Sequence, residues 1–119
     1  MNQQGEDFSE TILLVTRTGM GSADQRLQAR LFRSYLQLLG ESDLPPAAIC
    51  FYGEGVKMAV TGAPALDELK VLEEAGTYLL LCGTCLNHYQ LTDQVEVGIV
   101  GGMTDIIEAQ RRAEKVITI

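Results

Sequence analysis

The side chains best suited to nucleophilic or redox chemistry are three cysteines and one histidine. Three of these four share one string, Cys82-Gly83-Thr84-Cys85-Leu86-Asn87-His88. An apolar run, Thr77 to Leu81, stops abruptly at Cys82. The run is short, continuous and preceded by Gly76, which reads as a buried strand. Residues from Thr84 onward can then open a helix, so Cys82 is expected at the carboxyl end of a strand and beside a helix N-terminus. Unpaired N–H groups and the positive end of the helix dipole favour an anion there. A thiol so placed has a lowered pKa and is more often thiolate, the form that attacks sulfur. The functional reading is a reactive Cys82 with Cys85 as its neighbour. The alternative is two small apolar residues in a tight turn, since free cysteine is often only a buried hydrophobe, and a lone C-x-x-C does not decide between them.

The remaining candidates are weaker. Cys82, Cys85 and His88 form C-x-x-C-x-x-H, but a zinc site needs a fourth ligand and the chain has no second histidine. The expectation is therefore no metal and no cofactor. On a helix His88 would share a face with Cys85, where it could assist thiolate formation or simply face solvent. Cys50 lies mid-strand among apolar residues and reads as core. The turn Thr16-Arg17-Thr18-Gly19-Met20-Gly21-Ser22 could hold a phosphate on its backbone N–H groups, or it is a glycine turn followed by an N-cap serine. It lacks the Gly-Lys-Ser/Thr of a P-loop.

These residues have to be positioned by elements, and the chain supplies them in alternation. Ile12–Val15 reads as the first strand. Ser22-Ala23-Asp24-Gln25 reads as a capping box for a helix whose buried stripe is Leu27, Leu31, Tyr35 and Leu38, widened by Phe32, Leu36 and Leu39, with Gly40 as its C-cap. Pro45 and Pro46 close a loop before a second strand, Ala47–Tyr52. Gly53-Glu54-Gly55 turns the chain into a short helix, Val56 to Val60. Leu66, Leu69 and Leu72 mark the next helix, which Gly76 ends. A fourth strand spans Val95–Val100, Asp105 and Glu108 cap a helix carrying Ile106, Ile107 and Ala113, and Lys115–Ile119 is the last strand. Strands alternating with helices predict an α/β fold with a parallel sheet covered on both faces. Glycines cluster after the strands: Gly19 and Gly21, Gly53 and Gly55, Gly83, then Gly101 and Gly102. Ligands bind at the carboxyl ends of such strands, so Gly19, Gly53 and Gly55 are predicted to line a site with Cys82.

Bulk properties bound the rest. The 119 residues suffice for one domain, expected over residues 10–119 behind a polar tail or linker at 1–9. Hydrophobic residues make up 46% and charged residues 21%, as in ordinary globular proteins. A net charge of -7 argues against nucleic acid or an anionic membrane as partner. Three cysteines do not build a disulfide scaffold, which points to a reducing cytoplasm. Residues 1–8 are polar and acidic, unlike a signal peptide, and no apolar run approaches the roughly 18 residues that span a membrane.

Over residues 11–119 the chain resembles the DsrE/DsrF-like family, and within it the C-terminal domain of YedF-type proteins linked to selenium metabolism. The resemblance is carried by Phe51-Tyr52-Gly53-Glu54-Gly55-Val56-Lys57, Leu66-Asp67-Glu68-Leu69-Lys70, Leu72-Glu73-Glu74, Cys82-Gly83-Thr84-Cys85-Leu86-Asn87, Val97-Gly98 and Ala113-Glu114-Lys115-Val116-Ile117-Thr118-Ile119. It implies a three-layer sandwich on a five-stranded, mostly parallel sheet that assembles into trimers or hexamers. It also implies a persulfide on the cysteine matching Cys82, with Cys85 matching a second cysteine found in some subgroups. YedF-type proteins usually carry a preceding TusA-like domain, which this sequence does not show. The family's better-known sulfur-relay members have an Arg-Gly pair after the active cysteine, where this chain has His88-Tyr89-Gln90.

The leading functional expectation is a cytoplasmic sulfur or selenium carrier, sulfurtransferase-like, exchanging with donor and acceptor proteins. Gly83, Thr84 and Asn87 would surround the sulfur bound on Cys82. A dithiol–disulfide redox protein using Cys82 and Cys85 is the second reading. An oligomeric interaction module with inert cysteines is the third.

Overall fold

In the computed structural model, which describes residues 8–42 and 45–119, the five strands form a single parallel sheet. They are β1 (Thr11–Val15), β2 (Ala48–Phe51), β3 (Tyr78–Cys82), β4 (Ile99–Gly101) and β5 (Lys115–Thr118), in the order β4-β3-β2-β1-β5. The helices are α1 (Gln25–Gly40), α2 (Leu66–Glu74), α3 (Gly83–His88) and α4 (Met103–Arg112). The α/β sandwich expected from the sequence is the one found, with every strand pair parallel. The predicted tail falls mainly on residues 1–7, outside the described residues, whereas Phe8 is half-buried and packs on the core.

The layering follows from the crossovers. The steps from β1 to β4 all move one way along the sheet, so right-handed connections put α1 and α2 on one face, where they pack on each other. The last connection runs back from β4 to β5, so α4 lies on the opposite face against β3 and β4. Strands covered on both sides have no polar face. Accordingly, every residue of β1 and β2 is buried, and in β3 only Tyr78 is exposed.

The helix α1 departs from its predicted phase. Phe32 and Leu36 are fully buried, while Leu27, Leu31 and Leu38 are 44%, 40% and 67% exposed. The helix carries two adjacent apolar stripes, and the one centred on Phe32 took the core. Its N-cap is Asp24, whose carboxylate accepts the Leu27 N–H at 3.0 Å, not Ser22. Gly40 is the last helical residue and not the cap. A Cβ there would lie 3.3 Å from Val71 Cγ1, so it sits where α1 approaches α2.

Two other boundaries moved for local reasons. The fourth strand begins at Ile99 because Gly98, at φ +85°, bends the chain so close to β3 that a Cβ would lie 2.9 Å from the Leu79 carbonyl oxygen. Upstream, Val95 makes a single antiparallel bridge to Val60. The segment after β2 is a 3-10 helix from Gly53 to Ala59.

The entry into β3 is fixed by the end of α2. Gly76, at φ +109°, closes a Schellman motif in which the Gly76 N–H donates to Glu73 O and the Thr77 N–H to Leu72 O. The buried Thr77 hydroxyl then donates to the Pro46 carbonyl at 2.8 Å. These bonds deliver the chain into β3 in the register that ends at Cys82.

Candidate functional site

The register puts the Cys82–His88 string on the carboxyl edge of the sheet. Val15, Phe51, Leu81 and Val100 form one row across β1–β4, and the next row pairs Cys82 with Gly101. Cys82 is the last residue of β3, and α3 starts at the following residue, Gly83. A Cβ at Gly83 would lie 3.2 Å from Val100 Cγ1, so the glycine lets the helix leave the strand directly beside β4. Leu86, fully buried, anchors this short helix. Its C-terminus is closed by a second Schellman motif, with Gln90 N–H donating to Asn87 O and Leu91 N–H to Leu86 O. Gln90 fills the left-handed position at φ 59° that glycine usually takes.

This geometry brings Cys82 and Cys85 together. Both are free thiols, set three residues apart across the junction of β3 and α3, and the Cys82 thiol acts electrostatically on Cys85. They differ in surroundings: Cys82 is 2% exposed, whereas Cys85 is half-buried. The Gly53 N–H donates to Cys85 Sγ at 3.1 Å. Gly53 adopts φ +59°, which turns its amide back over the end of β2 toward α3. Burial raises the Cys85 pKa. The Gly53 N–H pulls it down, and the adjacent Cys82 thiol pushes it up again.

Not all glycines of the predicted cluster approach the sulfurs. Gly55 is buried against β1, where a Cβ would lie 1.9 Å from the Val15 carbonyl oxygen. It lets the 3-10 turn sit on the strand end and so fixes Gly53. Gly19 is packed on α1, where a Cβ would meet Gln28 at 2.6 Å. The Thr16–Ser22 turn is closed on α1 by its own bonds: Thr18 Oγ1 donates to Gln25 Oε1 at 2.7 Å, and Gln28 Nε2 donates to Gly21 O at 2.7 Å. The arrangement fits the glycine-turn reading. Thr84, Asn87 and His88 are exposed on α3. Cys50 is fully buried and its thiol is pushed up to about 11 by desolvation, as expected of a core cysteine.

Sequence reasoning did not single out Lys57 and Tyr89. The Lys57 ammonium lies 4.4 Å from the Tyr89 ring centroid and 3.2 Å from Glu54 Oε2, a cation–π contact that ties the 3-10 turn to the end of α3. His88 packs edge-on to the same ring, with centroids 4.9 Å apart. The available signal was the Gly53-Glu54-Gly55-Val56-Lys57 string, but no spacing rule links it to a tyrosine 32 residues later. Among the described residues, no three His, Cys, Asp or Glu side chains are placed to hold one metal ion. A cavity of about 480 Å³ lies at the opposite, amino edge of the sheet, between α4 and the row Ile12, Ala48 and Tyr78. It is remote from the cysteines.

A family model for DsrE/DsrF-like proteins matches residues 11–119. The chain belongs to the DsrE/DsrF-like family. Solved structures share the fold of this DsrE-like domain. The ychN protein of E. coli superposes with a TM-score of 0.67 at 18% identity, covering 93% of this chain and 99% of that one. A protein of unknown function from Methanobacterium thermoautotrophicum, MTH1491, gives a TM-score of 0.67 at 15% identity, covering 92% and 97%. No curated protein sequence matches the chain. At these identities the likeness concerns the DsrE-like fold. None of the described helices is long and apolar enough to cross a membrane.

Proposed function

We propose that this DsrE-like protein is a sulfurtransferase-like carrier that stores sulfane sulfur, or selenium in its place, on Cys82. The observation that carries the reading is the pair of free thiols at the junction of β3 and α3, with the Gly53 N–H donating to Cys85 Sγ. In loading, a thiolate attacks the outer sulfur of a donor persulfide. A new S–S bond forms, the donor's S–S bond breaks, and the donor leaves as a thiolate. Transfer to an acceptor cysteine is the same exchange in reverse, with no net oxidation. Cys85 can also attack the inner sulfur of the Cys82 persulfide, which closes a Cys82–Cys85 disulfide and releases hydrosulfide. The YedF-like Cys-Gly-Thr-Cys-Leu-Asn string supports placing the chain in selenium metabolism, with a TusA-like domain among its exchange partners. Cytoplasmic residence suits free thiols. The exposed Leu27, Leu31 and Leu38 stripe, and Ile99, Met103 and Ile107 at the β4 edge, support assembly into a homo-trimer or homo-hexamer.

The deciding experiment is intact mass of the reduced protein after treatment with a persulfide donor and removal of excess donor in the presence of free thiol. Wild type should retain one added sulfur and Cys82→Ser none. Retention by Cys82→Ser equal to wild type would refute the assignment. The placing of both thiols at the junction of β3 and α3 also favours a dithiol–disulfide redox pair, for which intact mass taken without added free thiol would show loss of two hydrogens and no added sulfur.

A further inference from the structure

The two thiols are not equivalent, and the difference assigns them separate tasks. Cys82 is enclosed: it is 2% exposed, paired with Gly101 of β4 on one side and capped by the start of α3. A bulky donor protein cannot bring a persulfide into line with that sulfur unless α3 moves. Cys85, one helical turn further on, is half-buried and its sulfur is held by the Gly53 N–H at 3.1 Å. It therefore lies where the Gly53–Ala59 turn meets α3, a junction held by the Lys57–Tyr89 contact. Exchange between thiols and persulfides depends on access and on how well the leaving thiolate is stabilised.

We propose that Cys85 is the sulfur that meets donor and acceptor partners, and that Cys82 is an inner store loaded and emptied through it. This rests on the carrier reading above and adds an order of events to it. The Cys85 thiolate attacks the outer sulfur of a donor persulfide, forming Cys85–S–SH as the donor S–S bond breaks and the donor departs as a thiolate. The neighbouring Cys82 thiolate then attacks that outer sulfur. A Cys82–S–SH bond forms, the Cys85 S–S bond breaks, and Cys85 leaves as a thiolate. One sulfur moves, the electron pair of each broken bond stays with the leaving thiolate, and no outside oxidant or reductant takes part. In the second step Cys85 is the leaving group, and the Gly53 N–H is the donor that receives its developing charge. Unloading runs the two steps backward, so the stored sulfur lies away from bulk thiols between partners.

Rapid quench with a persulfide donor, followed by site-resolved mass spectrometry, tests the order. In wild type the added sulfur should appear on Cys85 before Cys82, and Cys85→Ser should slow loading of Cys82 by about tenfold or more through loss of the accessible entry thiol. Loading of Cys82 in Cys85→Ser at the wild-type rate overturns the relay while leaving the carrier reading intact. A wild-type protein that takes up no sulfur overturns both. Labelling of reduced wild type with a bulky maleimide tests access without relying on a variant. Cys85 should react first, and Cys82 at least about tenfold more slowly. Equal labelling overturns the access argument.

Discussion

Replacing Gly55 with alanine should loosen the site from beneath. The added Cβ would stand 1.9 Å from the Val15 carbonyl oxygen and 2.5 Å from its carbonyl carbon, where contacts below 3.0 Å essentially do not occur. The obstacle is the backbone of a central strand and has no rotamer to escape into. The Gly53–Ala59 turn must therefore rise by about 1 Å. Forcing extra atoms into a packed site costs about 1–3 kcal/mol, and an immovable neighbour puts this case near about 3 kcal/mol. For a domain of this size that lowers the melting temperature by roughly 10–15 °C. The same displacement carries the Gly53 N–H away from Cys85 Sγ, removing the interaction that lowers the Cys85 pKa. Alkylation of Cys85 at pH 7 should slow accordingly. Thermal unfolding followed by circular dichroism, with iodoacetamide kinetics on the same preparation, reads both effects. The control is Gly62→Ala, at φ +86° with nothing within 4 Å of the new Cβ, which should cost about 1 kcal/mol from backbone strain alone. If Gly55→Ala melts no lower than Gly62→Ala, the turn does not rest on β1 as argued.

Three further outcomes are expected. Cys82→Ala removes the thiol that pushes the Cys85 pKa up, so Cys85 should alkylate faster than wild type at pH 7; an unchanged or slower rate would contradict the coupling. Cys50, raised from 9.0 to about 11 in the fold, contributes stability that is complete below pH 9, where the thiol is neutral folded or unfolded. It is lost as pH rises from about 9 to about 11, to a total of about 3 kcal/mol. Urea denaturation across this range should show the decline, flattened in Cys50→Ala. Gln90→Gly relieves a left-handed side chain at the end of α3 and should raise stability by about 1 kcal/mol, visible as a higher urea midpoint at unchanged slope.

Much of this architecture could be read from patterns of short range. The apolar runs at Ile12–Val15, Ala47–Tyr52 and Thr77–Leu81 are strands because only a sheet covered on both faces needs residues apolar on both sides. The glycines after them mark the sheet's carboxyl edge because the chain there turns at positive φ, as at Gly19 and Gly53, or passes too close to a neighbour for a Cβ, as at Gly55. The phase of α1 was not legible, because Leu27, Leu31 and Leu38 are as apolar as Phe32 and Leu36, and periodicity cannot say which of two adjacent stripes meets the sheet. Asp24 outcompeted Ser22 as N-cap within a single polar turn, a difference set by where the Thr16–Ser22 turn is tied down. At the site, strand and helix periodicity bring Cys82 and Cys85 within one turn of each other. The Gly53 N–H on Cys85 joins residues 32 apart through the pairing of β2 with β3, and nothing local announces it.

The parallel order of the strands also decides where a reporter can be attached. The Ile119 N–H donates to Leu14 O at the end of the β1–β5 pair, so a fluorophore or affinity handle joined there emerges along the cysteine edge. Three strand spacings, about 15 Å, separate β5 from β3. Such a handle would crowd any protein docking at Cys85, and a fluorophore there would report the approach of a labelled partner over that distance. A handle joined ahead of Thr11 starts from the other edge, about 17 Å away along the five-residue strand β1. Binding experiments on this protein should be tethered from that side, and distance experiments from the other.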